Sequence, residues 1–543
     1  MSASASAQLL GRAAPERRGL AITGLALGML LSTLDQTIVA TALPSIAKDL
    51  GSLSSSAWIV SAYLLTTTAS APLYGKLGDM FGRRRMVLIA LSLFIGSSIL
   101  CGVAPNMWSL IALRALQGLG GGGLVGLGSA GIADLVPLHE RGKALSYSGA
   151  VFAAGSIGGP LLGGVFTDYL DWRWVFYINV PIGLVSMFLV VTYFRLPQAV
   201  VRGALDVLGS VLLVGAVTCL MLVTVWAGRD YAWGSAQILG LLAAAVVLLI
   251  GFVARERSAA NPVLPLQLFK ARAFAVAVPA SVVLGMLLLA AVVFLPQFFQ
   301  AVRGMSASTS GLALTPLMLG VVGTMTVVGR RVTASGRYRP YPIIGSVLTI
   351  VGFAALTQLD GDTPDWLMVL EMLVLGMGMG FAIQLLVLIM QNSAEMQYLG
   401  VASSAAMFFR SMGGAIGTAF FSTVLVRRLA DEMGSGGAAL NASPDEVARQ
   451  AMVDGSVLPE SVQALFSQAF AESIHIVYVW ALPFAGLLLV LALALPTVPL
   501  WTVEFLKKFK EDHEAKVAAE AAEAAAAASA APAGSKEQVP AAE

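Results

Sequence analysis

Long apolar runs alternate with short polar punctuation along nearly the whole chain. Fourteen runs approach the roughly 20 residues that an α-helix needs to cross a hydrocarbon core. They cover residues 20–43, 56–74, 86–105, 108–132, 144–166, 174–193, 204–226, 236–254, 273–298, 308–328, 341–358, 366–391, 401–426 and 474–497. Each predicts a membrane-spanning helix. The first run follows Arg17 and Arg18 and precedes ATALPS, as a secretory leader would. Its length and its internal Asp35 mark it instead as a retained span.

Composition agrees with this pattern. Of 543 residues, 57% are hydrophobic and 12% charged, and the mean hydropathy is +0.82. A soluble domain is about half apolar and about a quarter charged. The net charge of +2 is spread over short clusters with no basic domain, so nucleic acid is not an expected partner. Cys101 and Cys219 both lie inside apolar runs, which argues against a disulfide framework or a metal site. The H-E-x-x-H and G-x-x-x-x-G-K-[ST] patterns are absent, which argues against a zinc hydrolase and against ATP-driven work by this chain. Gly118, Gly120 and Gly123 match G-x-G-x-x-G, but no strand precedes them, so no nucleotide site is read there. Neither an enzymatic activity nor a cofactor is expected.

Lysine and arginine set the expected orientation. With the N-terminus placed inside, 24 of the 33 fall in inner segments and 7 in outer ones. That is the positive-inside bias. Both termini are then cytoplasmic in a plasma-membrane protein. The loop 392–400 is the exception, being an inner segment without Lys or Arg. The organisation expected is a tail over 1–19, a six-helix bundle over 20–200, two inserted helices over 201–258, a second six-helix bundle over 259–500, and a disordered tail over 501–543. An outer loop over 427–473 contains SPDEVARQ, whose Ser443, Pro444 and Glu446 predict a helix start. Asn441-Ala-Ser443 matches a glycosylation pattern by its short length alone.

One polar interruption stands out. YGKLGDMFGRRRMVL, Tyr74 to Leu88, packs three glycines, an aspartate and three arginines between two apolar runs. Its glycines allow a tight turn and close helix approach. Its arginines hold that turn on the cytoplasmic side. A faint second copy exists: Gly75 and Gly82 map onto Gly329 and Gly336 at an offset of 254 residues. The same offset carries Gly159 onto Gly413 and Gly163 onto Gly417. A shared offset at two places points to an internal duplication. It spans eight predicted helices, which leaves two inserted between related six-helix halves.

These motifs resemble those of the major facilitator superfamily. GKLGDMFGRRR is similar to its signature turn, RALQGLGGG (Arg114 to Gly122) to its fourth-span motif, and GSIGGPLLGG (Gly155 to Gly164) to its fifth-span antiporter motif. LDQTIVATALPSI and DWRWVFYINVPIG resemble the fourteen-span drug:proton antiporter branch, the EmrB/QacA type. The resemblance implies an all-α major facilitator fold of two six-helix bundles plus two helices. It implies a proton-driven exporter that rocks around a central cavity and needs only the proton gradient. The expected partners are small lipophilic or amphipathic substrates, protons and the lipid bilayer, with the chain working as a monomer. Export of a lipid, an envelope precursor or an endogenous metabolite is the alternative on the same fold, and a non-transporting membrane sensor a remoter one.

Asp35 lies about 15 residues into the first run, roughly 22 Å from its start at 1.5 Å per residue. A carboxylate so deep must face a cavity or a partner, which makes it a candidate proton carrier. Arg114 falls at similar depth in the fourth run, and an arginine there favours the charged form of Asp35. A change that separates the two alters the acid's hold on its proton. The resemblance also places the proton relay around this pair. Glu371, about six residues into the twelfth run, is a second candidate for a proton or a cation. Gly75, Gly78, Asp79, Gly82, Arg83 and Arg84 form the latch that the resemblance implies. Thr333 stands where the second copy would carry Asp79. Gly155, Gly159, Gly163 and Gly164 put small residues on one face of the fifth run, and Pro160 bends it. Tyr63, Gln117, Gln297, Gln300, Phe381, Gln384 and Arg410 are candidate cavity residues, with Met379 beside them. Acids in the thirteenth span accompany dication export in the family. Here that span offers Arg410, which argues against multivalent cations.

Overall fold

A computed structural model describes residues 15–50, 53–136, 151–194 (except 152, 153, 157, 160 and 168), 206–227, 231–259, 261–335, 337–394, 398–433 and 460–497. Among them the regular structure is helical, apart from one isolated bridge between Ala227 and Tyr231. In chain order the helices are α1 (Pro15–Asp49), α2 (Leu53–Phe81), α3 (Arg83–Gly102), α4 (Met107–Leu135), α5 (Trp174–Tyr177), α6 (Asn179–Tyr193), α7 (Val207–Trp226), α8 (Ala236–Ser258), α9 (Arg272–Ala301), α10 (Ala307–Ala313), α11 (Thr315–Ser335), α12 (Pro340–Leu356), α13 (Asp365–Asn392), α14 (Leu399–Met433) and α15 (Glu460–Ala494). Residues between 151 and 169 add further helical turns. Eleven spans among the described residues are long and apolar enough to cross a membrane; α12 is apolar but shorter. The SPDEVARQ segment, Asn441, Pro160 and the tail 501–543 lie outside the described residues.

Several boundaries differ from the hydropathy reading, for local reasons. α2 continues through Gly75 and Gly78 to Phe81, so the tight turn is the single residue Gly82, at φ 95°. That positive φ is a conformation glycine adopts without steric cost. The predicted span 174–193 is one helical run: α5 passes into α6 through Ile178, which keeps helical dihedrals (φ −59°, ψ −28°) and donates to the Trp174 carbonyl at 3.1 Å. The predicted span 308–328 is matched by one apolar run, Thr309–Val332, in which α10 joins α11 through Leu314, also at helical dihedrals (φ −74°, ψ −8°). α14 runs to Met433 and α15 begins at Glu460, so both extend into the expected loop 427–473. An Arg428–Glu432 pair one turn apart supports the first extension.

Capping explains several starts. Asn106 and Ser109 form a reciprocal capping box at α4. Asp206 accepts from Gly209 N at 3.0 Å to open α7, and Ser235 does the same for α8.

The helices pack in two groups. α1 to α6 form the first, and α9 with α11 to α15 the second. α7 pairs with α8 and also touches α2 of the first group and α14 of the second. The groups repeat one packing pattern. In the first, a Cβ on Gly118 or Gly122 of α4 would lie 2.4 Å from the carbonyl oxygens of Tyr63 and Thr67 on α2. In the second, Gly376 and Gly380 of α13 meet Leu317 and Val321 of α11 in the same way. Leu317 and Val321 stand 254 residues after Tyr63 and Thr67, the offset found in the sequence. Gly159 and Gly163 pack on Thr37 and Ile38 of α1, while Gly413 and Gly417 pack on Val282 and Met286 of α9.

Candidate functional site

Inside the first helix group a polar network is sealed from every surface. Asp35, Ser98, Arg114, Gln117 and Asn179 each have 0% exposure. α1 contributes Asp35, α3 Ser98, α4 Arg114 and Gln117, and α6 Asn179. Arg114 Nη1 donates to Asp35 Oδ2, forming a fully buried ion pair. Gln117 Nε2 donates to Asp35 Oδ1 at 3.0 Å, and Asn179 Nδ2 donates to the same oxygen at 2.9 Å. Both amides also donate to Ser98 Oγ at 3.1 Å. Ser98 passes its own hydrogen to the Phe176 carbonyl at 2.9 Å. Arg114 is held further by Gln117 Oε1 at 2.8 Å and by the Ile59 carbonyl at 3.3 Å.

The surroundings intensify these contacts. The Arg114 guanidinium carbon lies 4.2 Å from the Tyr63 ring centroid and 5.8 Å from that of Phe176. Cations over aromatic faces gain most when desolvated. Tyr63 also shares a 2.9 Å hydrogen bond with Ser32. A buried pair is tolerable only when its remaining hydrogen-bonding capacity is largely met. Two groups remain without partners: Arg114 Nη2 and Asn179 Oδ1. The structure therefore brings Asp35 and Arg114 together, and puts Tyr63 and Gln117 in their network.

The second candidate assembly lies at the far end of α2. Asp79 pairs with Arg83 at 3.1 Å, and Arg83 reaches Asp134 of α4 at 2.5 Å. Arg83 also donates to the Ala130 carbonyl at 2.8 Å. The Asp79 carboxylate rests on Gly400, in the first turn of α14. Helix starts favour negative charge, because their first N–H groups have no intrahelical partner. Gly75 and Gly126 both face Ser404. The two helix groups thus meet where Asp79, Arg83 and Asp134 cluster. Gly78 instead receives Leu127. Arg84 turns away and donates to the Val191 carbonyl at 2.5 Å.

α7 and α8 are fastened beside this contact. Arg255 pairs with Asp206 at 3.0 Å. Burial raises the Asp206 carboxyl, but the Gly209 N–H and Arg255 outweigh it and hold the group below its ordinary value. Glu256 accepts from Val263 N at 3.0 Å and Leu264 N at 3.3 Å. At the other end Trp226 packs edge-on against Trp58 of α2, at 5.9 Å between centroids. Trp233 there donates to Thr423 of α14 at 3.3 Å.

The remaining candidates are dispersed. Gly155, Gly159, Gly163 and Gly164 are buried, and Thr37 Oγ1 donates to the Gly155 carbonyl at 2.8 Å. Glu371 is 7% exposed, and its Oε2 has no hydrogen-bond partner. Gln384 is buried with Nε2 unpaired, and Gln297 Oε1 is unpaired. Gln300 donates to Ser310 at 2.9 Å, and Phe381 stacks on Tyr341 at 6.1 Å. Arg410 donates to the Met407 sulfur at 3.0 Å. Asn179, Ser98 and Asp134 were not singled out from sequence. Their signal there is weak, since a serine or amide within an apolar run has many packing explanations.

This arrangement has a family. The chain matches the Major Facilitator Superfamily profile over residues 25–418. It belongs to that superfamily. An uncharacterized MFS-type transporter of Mycobacterium tuberculosis is 40% identical over 490 residues, covering 90% of this chain and 70% of that one. Multidrug resistance protein 3 of Bacillus subtilis is 37% identical over 473 residues, covering 85% and 92%. The solved proton:xylose symporter XylE, at TM-score 0.57 and 16% identity, covers 90% of this chain and 99% of its own; it shows the fold alone. The chain's family and fold are thus those of multi-pass membrane transporters, not of enzymes.

Proposed function

We propose that the protein is a proton-coupled antiporter that exports lipophilic or amphipathic compounds by alternating access. One observation carries the reading. Asp35, deep in α1, is enclosed with Arg114 by groups from α3, α4 and α6. Binding a proton neutralises Asp35 and weakens its hold on Arg114. Moving the helices apart does the reverse. Proton binding and helix arrangement are thereby linked, as coupling requires. Arg114 is the partner that sets the acid's affinity, and Glu371 is a second carboxylate for a proton or a cationic substrate.

The latch has a matching role. Asp79, Arg83 and Asp134 close the two groups against each other at one end, which we assign to the cytoplasm. That assignment makes this an outward-facing arrangement, with both termini cytoplasmic in the plasma membrane. Membership of the fourteen-span branch is part of the proposal. It is supported by the α7–α8 pair between the repeated halves. Export of drug-like compounds is supported by similarity to a protein named for multidrug resistance.

The test is proton movement in proteoliposomes on adding ethidium, tetraphenylphosphonium or a neutral lipophilic dye. Wild type is expected to exchange protons for at least one probe, and Asp35→Asn for none. Equal exchange by both proteins would remove Asp35 from the mechanism.

A further inference from the structure

The sealed network contains a group that the coupling scheme leaves unused. Asn179 Oδ1 is buried and accepts no hydrogen bond, while its Nδ2 is fully used by Asp35 at 2.9 Å and Ser98 at 3.1 Å. The amide's orientation is not arbitrary. Ser98 has one hydrogen, and it goes to the Phe176 carbonyl. Ser98 Oγ and the Asp35 carboxylate therefore both require donors, and Asn179 must turn its nitrogen toward them. The arrangement suits only the deprotonated acid.

Protonation reverses the requirement. A proton delivered from hydronium to Asp35 Oδ1 leaves water behind and turns that oxygen into an O–H donor. The donor then needs an acceptor in a site closed to water. Gln117 Oε1 is already occupied by Arg114 at 2.8 Å. Asn179 Oδ1 is the buried acceptor left over, on a residue already touching that oxygen. Half a turn about the amide's terminal bond presents it.

We infer that Asn179 is a positioning residue that reads the protonation state of Asp35, donating to the carboxylate and accepting from the acid. The inference rests on the proposed role of Asp35. Its mechanical consequence follows from where Asn179 sits. It is the first residue of α6, directly after Ile178, through which α5 continues helically into α6. The amide's rotation withdraws its donor from Ser98, which is bonded to Phe176 of α5. Proton binding is thus conveyed to Phe176 and so to the helical run that carries both Phe176 and Asn179. The charged and titratable groups facing Asp35 among the described residues are Arg114 of α4, Tyr63 of α2 and Cys101 of α3. None of them is an acceptor awaiting a hydrogen.

The experiment is infrared titration of protonated carboxyl bands in the full-length protein reconstituted in lipid. Asp35→Asn assigns the band. Asn179→Leu removes both donor and acceptor at similar size, and Asn179→Ser keeps a small group that is both. A donor to a charged acceptor matters more than an acceptor for a neutral acid. The Asp35 band in Asn179→Leu is therefore expected to respond to pH differently from that of wild type. It is also expected at higher wavenumber, as befits an acid without an acceptor. Asn179→Ser falls between and serves if the leucine variant does not fold. An Asp35 band whose midpoint and position match wild type in these variants overturns the inference while leaving the proton role of Asp35 standing. Absence of any titrating band that depends on Asp35 overturns both.

Discussion

Gly75 of α2 and Ser404 of α14 touch across the contact between the two helix groups: a Cβ on the glycine would lie 2.8 Å from the serine Cβ. The Gly400 carbonyl is 3.1 Å from the same point. Only a hydrogen fits there while the Asp79 end is closed. Gly75→Leu should therefore disfavour the closed arrangement by about 1–3 kcal/mol, the usual cost of overpacking. The protein is expected to fold, because the contact joins the groups and is not interior to either. Labelling of a cysteine placed at Ser404 should rise in the variant, and transport should fall. Unchanged labelling would mean that the contact does not gate access.

The Asp35–Arg114 pair makes a prediction about stability that is separate from transport. Removing one member of a buried pair leaves an uncompensated charge, at about 3–5 kcal/mol. Arg114→Ala should lose that much in denaturant unfolding of the detergent-purified protein. Asp35→Asn combined with Arg114→Gln keeps hydrogen-bonding groups and removes both charges, so it should recover most of the loss. A double variant as unstable as Arg114→Ala would show that packing of the guanidinium on Tyr63 dominates.

How far these features were legible depends on what each looks like within an apolar run. Asp35 and Arg114 declare themselves, because a charge deep in hydrocarbon has few structural explanations. The repeat is legible because close helix contacts such as those of Gly159 and Gly413, 254 residues apart, need glycine at fixed spacing. Asn179 is hidden because its role depends on meeting Asp35, 144 residues away in sequence. Hydropathy ends α2 near residue 74, whereas Gly75 and Gly78 remain helical under contacts from α14 and Leu127.

The α7–α8 pair should depend on Asp206 for its footing. This aspartate is 5% exposed, caps α7 through Gly209 N and pairs with Arg255. Loss of an N-cap costs about 1 kcal/mol, and an unpaired arginine adds to it. Asp206→Ala should lower stability at pH 7 by about 1–3 kcal/mol. The pH dependence has a definite sign. The folded carboxyl lies below its ordinary value of 3.8, so its stabilisation is complete above that value and lost as pH falls through the lower folded one. Unfolding curves of wild type and Asp206→Ala should differ at pH 7 and converge in strong acid. A difference that persists there would assign the effect to packing instead of charge.

Glu371 separates two kinds of cargo. Its Oε2 is buried without a partner, and no ion pair with it exists among the described residues. An unsatisfied buried carboxylate is costly, so Glu371→Gln should stabilise the protein by about 1 kcal/mol or more in denaturant unfolding. Natural sequences retain such a group when function uses it. If Glu371 receives cationic cargo, the glutamine variant loses tetraphenylphosphonium exchange while a neutral lipophilic dye is still moved. The proton exchange driven by that dye remains, because Asp35 is intact in the other helix group. A variant that loses both probes equally would place Glu371 with Asp35 in proton transfer. A variant that is more stable and transports both probes as wild type does would make Glu371 dispensable to function. We expect the first outcome, because Glu371 is the candidate carboxylate of the second helix group and has no ion pair among the described residues.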